Sequence, residues 1–202
     1  GLGARSAEFA HLPLQWMPHI QVADVAASVT RALALGGGEL MLDPSNQWAA
    51  LLDPNGAAFG IIPVPPADAI PAIEGDATRA GHIAWLDLTV PDAAATRDFY
   101  RQVVGWTAQD VEMQDGAARH ADYEMLGEDG NAAAGICHAR GVNLGLPPVW
   151  MLYLPVGDLD ESLRRVREEG GEIIKTNQNG DGECATAVIR DPVGAHVALA
   201  QG

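Results

Sequence analysis

The sequence is poor in basic residues, and it contains no long apolar run. Only 12 lysines and arginines stand against 27 aspartates and glutamates in 202 residues, which gives a formal net charge of −15 at pH 7. Phosphate backbones and anionic membrane surfaces repel such a chain, so we expect neither nucleic acid nor a membrane among its partners. No apolar stretch approaches the roughly 20 residues that cross a bilayer.

Cysteine is equally scarce. Cys137 and Cys184 are the only two, and they form no CxxC motif. Two thiols in a chain of this length do not make a disulfide framework, so we expect a reducing compartment, the cytoplasm. The sequence also lacks the GxSxG, HExxH and GxGxxG signatures. It therefore offers no serine-hydrolase elbow, no zinc-protease helix and no dinucleotide loop.

What the sequence does contain is an internal repeat. A tryptophan, a Val-x-Asp, a Gly-Gly pair and an Asp-Pro turn occur twice in the same order. The first copy has Trp16, Val22, Asp24, Gly36-Gly37 and Asp53-Pro54, and the second has Trp150, Val156, Asp158, Gly170-Gly171 and Asp191-Pro192. One change of loop length before the Asp-Pro turn accounts for the difference in spacing. Repeats of this size determine the architecture.

The periodicity within each copy predicts a β-α-β-β-β unit. Residues 16–22 alternate like a strand, Asp24 is placed to cap a helix to about Leu35, and three strands follow. Between residues 81 and 202 the pattern occurs twice, with helices capped by Asp92 and by Asp158 or Asp160. We therefore predict an α+β fold with the second half of a module at 1–62, a proline-rich linker at 63–80 and a complete module at 81–202. We expect that the upstream half of the first module is missing, or that the half-module must find a partner.

These motifs resemble the vicinal oxygen chelate superfamily, which comprises glyoxalases, bleomycin-resistance proteins and extradiol dioxygenases. The order and spacing of several motifs carry the resemblance: Trp85-x-Asp87-x-x-Val90-x-Asp92, Asp98-Phe99-Tyr100, Val104-Gly105-Trp106, and the second copy of the repeat. Among its members, the chain is similar to the tandem glyoxalase-like proteins of actinobacteria. The resemblance implies that paired βαβββ units curl into a cup for a small-molecule ligand. It also leaves open a homodimer that completes the cup across two chains.

In this superfamily, enzymes hold a divalent metal through His, Gln or Glu in the first and the last strand of each unit. Carried over by position, these places are Trp85, Met151 and Ala198, with a fourth near residues 135–137. The incomplete module has Met17 and Gly60 there. Indole, thioether and methyl groups are poor ligands for Zn²⁺, Mg²⁺ or Fe²⁺. We therefore expect no metal cofactor, and a divalent metal on other ligands is the alternative.

Strand alternation identifies the side chains that should face the cup. If Trp85 points inward, the expected ligand-binding set is Trp85, Asp87, Thr89, Met151, Tyr153, His196 and Ala198. A mostly apolar, partly aromatic lining with a few polar groups is typical of a small-molecule site. Trp85 and Met151 are equally compatible with a packed core. Phe99 and Tyr100, an aromatic pair on the first helix of the complete module, are expected in the core.

Two polar groups of the cup are candidates for catalysis. Asp87 and His196 could form an acid–base pair in which the carboxylate orients the imidazole. Cys137 and His138 are a candidate substitute pair of metal ligands, whereas we expect His120 in solvent. The favoured function is metal-free binding of a small hydrophobic or aromatic molecule. The alternatives are a glyoxalase-like lyase, an isomerase or hydrolase that uses Asp87 and His196, or an interaction scaffold.

Overall fold

The structure, a computed structural model, describes residues 2–3, 6–66 and 80–202. The elements of the first part are β1 (His19–Val22), α1 (Val25–Ala34), β2 (Gly38–Leu42), β3 (Ala49–Leu52) and β4 (Ala58–Pro63). Those of the second part are β5 (Trp85–Val90), α2 (Ala93–Val104), β6 (Thr107–Asp115), β7 (Ala118–Leu126), β8 (Ala132–His138), β9 (Trp150–Val156), α3 (Leu159–Glu168), β10 (Glu172–Gln178), β11 (Cys184–Arg190) and β12 (His196–Gln201). Residues 67–79, most of the expected linker, lie outside the described residues.

The strands form two sheets that follow the repeat. The first has the order β1-β4-β3-β2, and the second has the order β10-β11-β12-β9-β5-β8-β7-β6. In each βαβββ unit the first strand pairs in parallel with the last, and β5 and β9 join two units by antiparallel pairing. The predicted α+β fold of paired βαβββ units is thus confirmed. In the described part of the chain, no helix has the length and hydrophobicity that crossing a bilayer requires.

An aspartate begins each of the three α-helices. The carboxylates of Asp24, Asp92 and Asp158 each accept a hydrogen bond of 2.9 Å from the backbone amide three residues later. Each of these hydrogen bonds provides a partner for an amide that has none within the helix. The capping residue of the third helix is therefore Asp158 and not Asp160. The first strand is shorter than the predicted 16–22, because Pro18 has no amide hydrogen to donate to a neighbouring strand.

The repeated Asp-Pro motif is a carboxylate-capped turn. Asp53 Oδ1 accepts the backbone N–H groups of Asn55 and Ala57 at 2.8 and 2.9 Å. Asp191 Oδ1 accepts those of Val193, Gly194 and Ala195 at 2.8–3.0 Å. These hydrogen bonds fix the direction in which the backbone enters the last strand of each unit. This role explains why the motif occurs at the same place in both copies.

The two sheets share one hydrophobic core on their helical sides, where α1 packs against α2. Phe59 of β4 lies edge-on to the rings of Phe99 and Tyr100, with centroid distances of 6.1 and 5.3 Å. Arg31 Nη2 donates to the Val103 carbonyl at 3.3 Å across the same contact. Phe99 and Tyr100 therefore lie in the core, as the sequence predicted, and the first sheet packs against the second through this core.

Candidate functional site

The floor of the cup in the second sheet is a buried apolar cluster. It contains Met151, Val188 and Ala198, and Leu146 and Val149 from the connection between the two units pack against it. It is separate from the cluster beneath α3, so Met151 and Ala198 lie on the face of the sheet opposite to that helix. Met151 is 4% exposed and Ala198 is fully buried, so both side chains belong to the packed floor.

Beside this floor, three of the predicted inward-facing residues form one polar group. Trp85 Nε1 donates to Asp87 Oδ1 at 2.6 Å, and the Tyr153 hydroxyl interacts with the same carboxyl group. Burial raises the pKa of Asp87, an effect that Trp85 and the Tyr153 hydroxyl oppose. Burial also raises the pKa of Tyr153, and the negative charge of Asp87 adds to that shift. Ionising the Asp87 carboxyl therefore costs more free energy in this group than it would in water.

Room for the Asp87 carboxyl comes from Gly135. Gly135 lies opposite Asp87 in the parallel pairing of β5 with β8. A Cβ atom at position 135 would overlap Asp87 Oδ1 and come within 3.5 Å of Trp85 Nε1. Only glycine therefore permits this side-chain arrangement.

The structure does not bring the proposed catalytic pair together. His196 begins β12, and β9 lies between that strand and β5. Two strand spacings separate the His196 and Asp87 backbones by about 10 Å. Partial burial lowers the pKa of His196, and the charge of Arg190 lowers it further against the opposing charge of Asp191. Thr89, the last of the predicted inward set, is 6% exposed in the interior of the sheet.

A second polar cluster, formed by His120, Asp122 and His138, was missed by the sequence reasoning. His138 Nδ1 lies 3.0 Å from Asp122 Oδ1, and His120 Nε2 lies 3.6 Å from the same oxygen. The side chain of His120 is only 13% exposed, so the expectation that it lies in solvent is wrong. Burial raises the pKa of the Cys137 thiol, and the charges of Asp87 and Asp122 add to that shift. The alternation of His120 and Asp122 on one strand was the signal that could have found the cluster.

A cavity of the described chain lies between the segment before β1 and the second sheet. Its volume is about 920 Å³. Its wall includes Phe9, Leu12, Leu14, Trp16, Met17, His19, Ile83, Trp85, Leu86, Leu152 and Val193. Trp85 is the one member of the predicted ligand-binding set on this wall. His19, which the repeat places at the cup of the first module, also lines it.

A sequence model of the Glyoxalase/Bleomycin resistance protein/Dioxygenase superfamily matches residues 79–199, more than half of the chain. The chain belongs to this superfamily. Among solved structures, glyoxalase I from Zea mays superposes with a TM-score of 0.54 at 14% identity, covering 94% of this chain and 67% of that one. At that identity the likeness concerns the fold alone.

Two curated relatives have higher identity. The anthracycline biosynthesis protein DnrV of Streptomyces peucetius is 34% identical over 131 residues, which is 59% of this chain and 46% of that protein. The putative glyoxylase CFP32 of Mycobacterium tuberculosis (strain CDC 1551 / Oshkosh) is 32% identical over 124 residues, 61% of this chain and 46% of that protein. The chain thus spans about half the length of the curated relatives it matches.

The strand pairing completes the set of metal positions that superfamily membership implies. Asp87 pairs with Gly135 in the first unit of the module as Tyr153 pairs with Ala198 in the second. The fourth position, which the sequence left open, is therefore Gly135. The four positions carry Trp85, Gly135, Met151 and Ala198, none of which offers a nitrogen or oxygen ligand from its side chain to a divalent ion. These residues do not fit the superfamily's metal centre.

The raised pKa of Asp87 predicts a specific pH dependence of stability. A carboxyl whose folded pKa exceeds its unfolded value destabilises the folded state increasingly as pH rises from the unfolded value through the folded one. Relative to Asp87→Asn, the wild-type free energy of unfolding should therefore fall between pH 4 and pH 7, measured by urea denaturation. Asp98→Asn is the control, because Arg97 lowers the pKa of Asp98, so the contribution of Asp98 to stability is lost only below about pH 4 and should be nearly constant in this range. Parallel pH profiles of the wild type and Asp87→Asn would contradict the prediction.

Proposed function

We propose that this protein binds a small, largely planar hydrophobic molecule and needs no metal ion at the superfamily's usual positions. The observation that carries the proposal is the position of Trp85. Trp85 lines the 920 Å³ cavity, and its indole N–H donates to Asp87 Oδ1 at 2.6 Å. A cavity of this size, with an apolar and aromatic wall, suits a small-molecule ligand.

The polar group that best suits ligand recognition on this wall is His19. Its Nδ1 lies 3.2 Å from the Met17 carbonyl oxygen, so that nitrogen carries the hydrogen and donates. In the neutral ring, Nε2 is then an acceptor. Gln15, by contrast, is engaged by the backbone of Gly56 and Ala58. We therefore favour a ligand that combines a flat apolar surface with a hydroxyl group, which can donate to His19.

An estimate of the binding free energy supports the need for both an apolar surface and a hydroxyl group on the ligand. Burying an aromatic surface of about 200 Å² contributes about 5 kcal/mol at about 25 cal/mol per Å². Micromolar affinity requires about 8 kcal/mol, so a polar contact must add to the apolar one. A fused-ring ligand also agrees with the name of the Streptomyces peucetius relative, which assigns that protein to anthracycline biosynthesis.

Titration with a hydroxylated anthraquinone tests the proposal. We expect saturable binding, measured by isothermal calorimetry on chelator-treated protein, and an affinity at least tenfold weaker in Trp85→Ala because the stacking surface is lost. Trp48→Ala is the matched control, since Trp48 is 37% exposed and lies outside the cavity wall. Absence of saturable binding, or equal affinities of the wild type and Trp85→Ala, would refute the proposal.

A metal-independent isomerase or lyase is the second candidate. The observation that favours it is the partly buried Asp87 carboxyl, which accepts the Trp85 indole N–H at 2.6 Å and whose pKa burial raises. A carboxyl with a raised pKa can act as a general acid near neutral pH. The Asp87→Asn variant separates the candidates, because it should abolish turnover in an enzyme and change affinity only a few fold in a binding protein.

A further inference from the structure

The local topology brings three metal-binding side chains together outside the superfamily positions. His120 and Asp122 are two residues apart on β7, so they share one face of the sheet. His138 ends the neighbouring strand β8, and its backbone N–H donates to Asp122 Oδ1 at 2.9 Å. Thus the Asp122 carboxylate fixes the end of β8 and places the His138 imidazole beside its own oxygen.

The spacing of the donor atoms matches a small coordination sphere. One ligand atom from each of the three residues lies within 4.8 Å of the others, and the two distances to Asp122 Oδ1 are 3.0 and 3.6 Å. Tetrahedral Zn²⁺ with bonds of about 2.1 Å separates its ligand atoms by about 3.4 Å. Small side-chain rotations are therefore enough to bring the three donors to bonding distance of one ion.

Two unpaired atoms show that the cluster is incomplete as it stands. His120 Nδ1 and Asp122 Oδ2 are buried and have no hydrogen-bond partner among the described residues. Asp122 is only 3% exposed, and its ion pairs in the described chain are with the two histidines alone. A buried carboxylate with an unpaired oxygen is costly. A bound cation would remove that cost.

We propose that His120, Asp122 and His138 bind a divalent cation of the Zn²⁺ type. Two imidazole nitrogens and one carboxylate oxygen suit Zn²⁺ and similar transition-metal ions, whereas Mg²⁺ prefers oxygen ligands alone. Three protein ligands leave a fourth position for water or an oxygen of a bound molecule. The side chain of His138 is 22% exposed, which gives the ion a path from solvent. The site is independent of the proposed ligand cavity and of the four superfamily positions.

Metal titration of the chelator-treated protein tests this site. We expect one Zn²⁺ per chain in isothermal calorimetry, an intense visible spectrum with Co²⁺ that reports four-coordinate geometry, and no binding of Mg²⁺. The double variant His120→Ala/His138→Ala should bind Zn²⁺ at least 100-fold more weakly. His82→Ala removes a histidine outside the cluster and should bind as the wild type does.

Folding of the variants is checked by circular dichroism, and Asp122→Asn provides a second variant that keeps the side-chain shape. It should also lose Zn²⁺ affinity, by at least tenfold. Failure of the wild type to bind Zn²⁺ stoichiometrically would overturn the proposal, as would an unchanged affinity in the folded double variant or in Asp122→Asn. The anthraquinone titration does not depend on these outcomes, so the two proposals can fail separately.

Discussion

Replacing Phe59 by alanine should lower the free energy of unfolding by about 3–5 kcal/mol. Phe59 is fully buried on β4 of the first sheet, yet its ring neighbours are Phe99 and Tyr100 of α2. The cavity left by the substitution would therefore lie between the two halves of the molecule. Because one core serves both sheets, we expect the two halves to unfold together.

Urea denaturation followed by circular dichroism and by tryptophan fluorescence would measure this loss. Both probes should report a single transition with the same midpoint, shifted to lower urea in Phe59→Ala. Leu42→Ala is the control in the same sheet, since Leu42 is 40% exposed and its truncation should cost less than about 1 kcal/mol. Two separate transitions in the wild type would show that the halves fold independently, against this prediction.

Replacing Trp150 by alanine should lower the free energy of unfolding as much as replacing Phe59, for a different reason. Trp150 is fully buried, and it packs against Tyr100 and Trp106 with centroid distances of 5.2 and 6.3 Å. Its Nε1 donates to the Tyr100 hydroxyl at 3.0 Å, and that hydroxyl faces Asp53 Oδ2 at 3.5 Å. Burial raises the pKa of Tyr100 well above its ordinary range, so the hydroxyl stays protonated. Trp150 therefore anchors a polar chain that joins β9, α2 and the Asp53 turn.

Trp150→Ala should lose about 3–5 kcal/mol of unfolding free energy. Trp150→Phe keeps most of the ring volume but removes the donor, so it should lose about 1–3 kcal/mol. Thermal and urea unfolding of both variants, beside the exposed-site control Trp48→Ala, measure the two contributions separately. If Trp150→Phe were as unstable as Trp150→Ala, the ring volume that phenylalanine keeps would contribute nothing at this position, against the prediction.

Patterns within short segments were sufficient to predict the helices and strands and the face of the sheet to which strand side chains point. The helix starts at Asp24 and Asp92 were predictable because a capping carboxylate acts on an amide three residues away, whereas the third helix left Asp158 and Asp160 as alternatives. The inward direction of Trp85, Asp87 and Tyr153 followed from alternation along single strands. The prediction for strand β1 was too long. The alternation of residues extends over 16–18, but the strand itself begins only after Pro18.

These patterns within single strands did not predict which residues of different strands come into contact. Asp87 and His196 both followed the alternation rule, but the strand order places β9 between them. His120 looked isolated in the sequence, since its partner His138 is 18 positions away and joins it only through the pairing of β7 with β8. The register of Gly135 opposite Asp87 likewise became fixed only when β5 and β8 were paired.

The sequence by itself determined the repeated βαβββ plan and the absence of side-chain ligands at Trp85, Met151 and Ala198, because spacing, capping and residue chemistry are properties of short segments. The tertiary structure alone decided that Tyr153 comes beside Asp87, that a cavity opens beside Trp85, and that His120, Asp122 and His138 meet. These features depend on distances between segments that are remote in sequence, which are set only when sheets pair and pack.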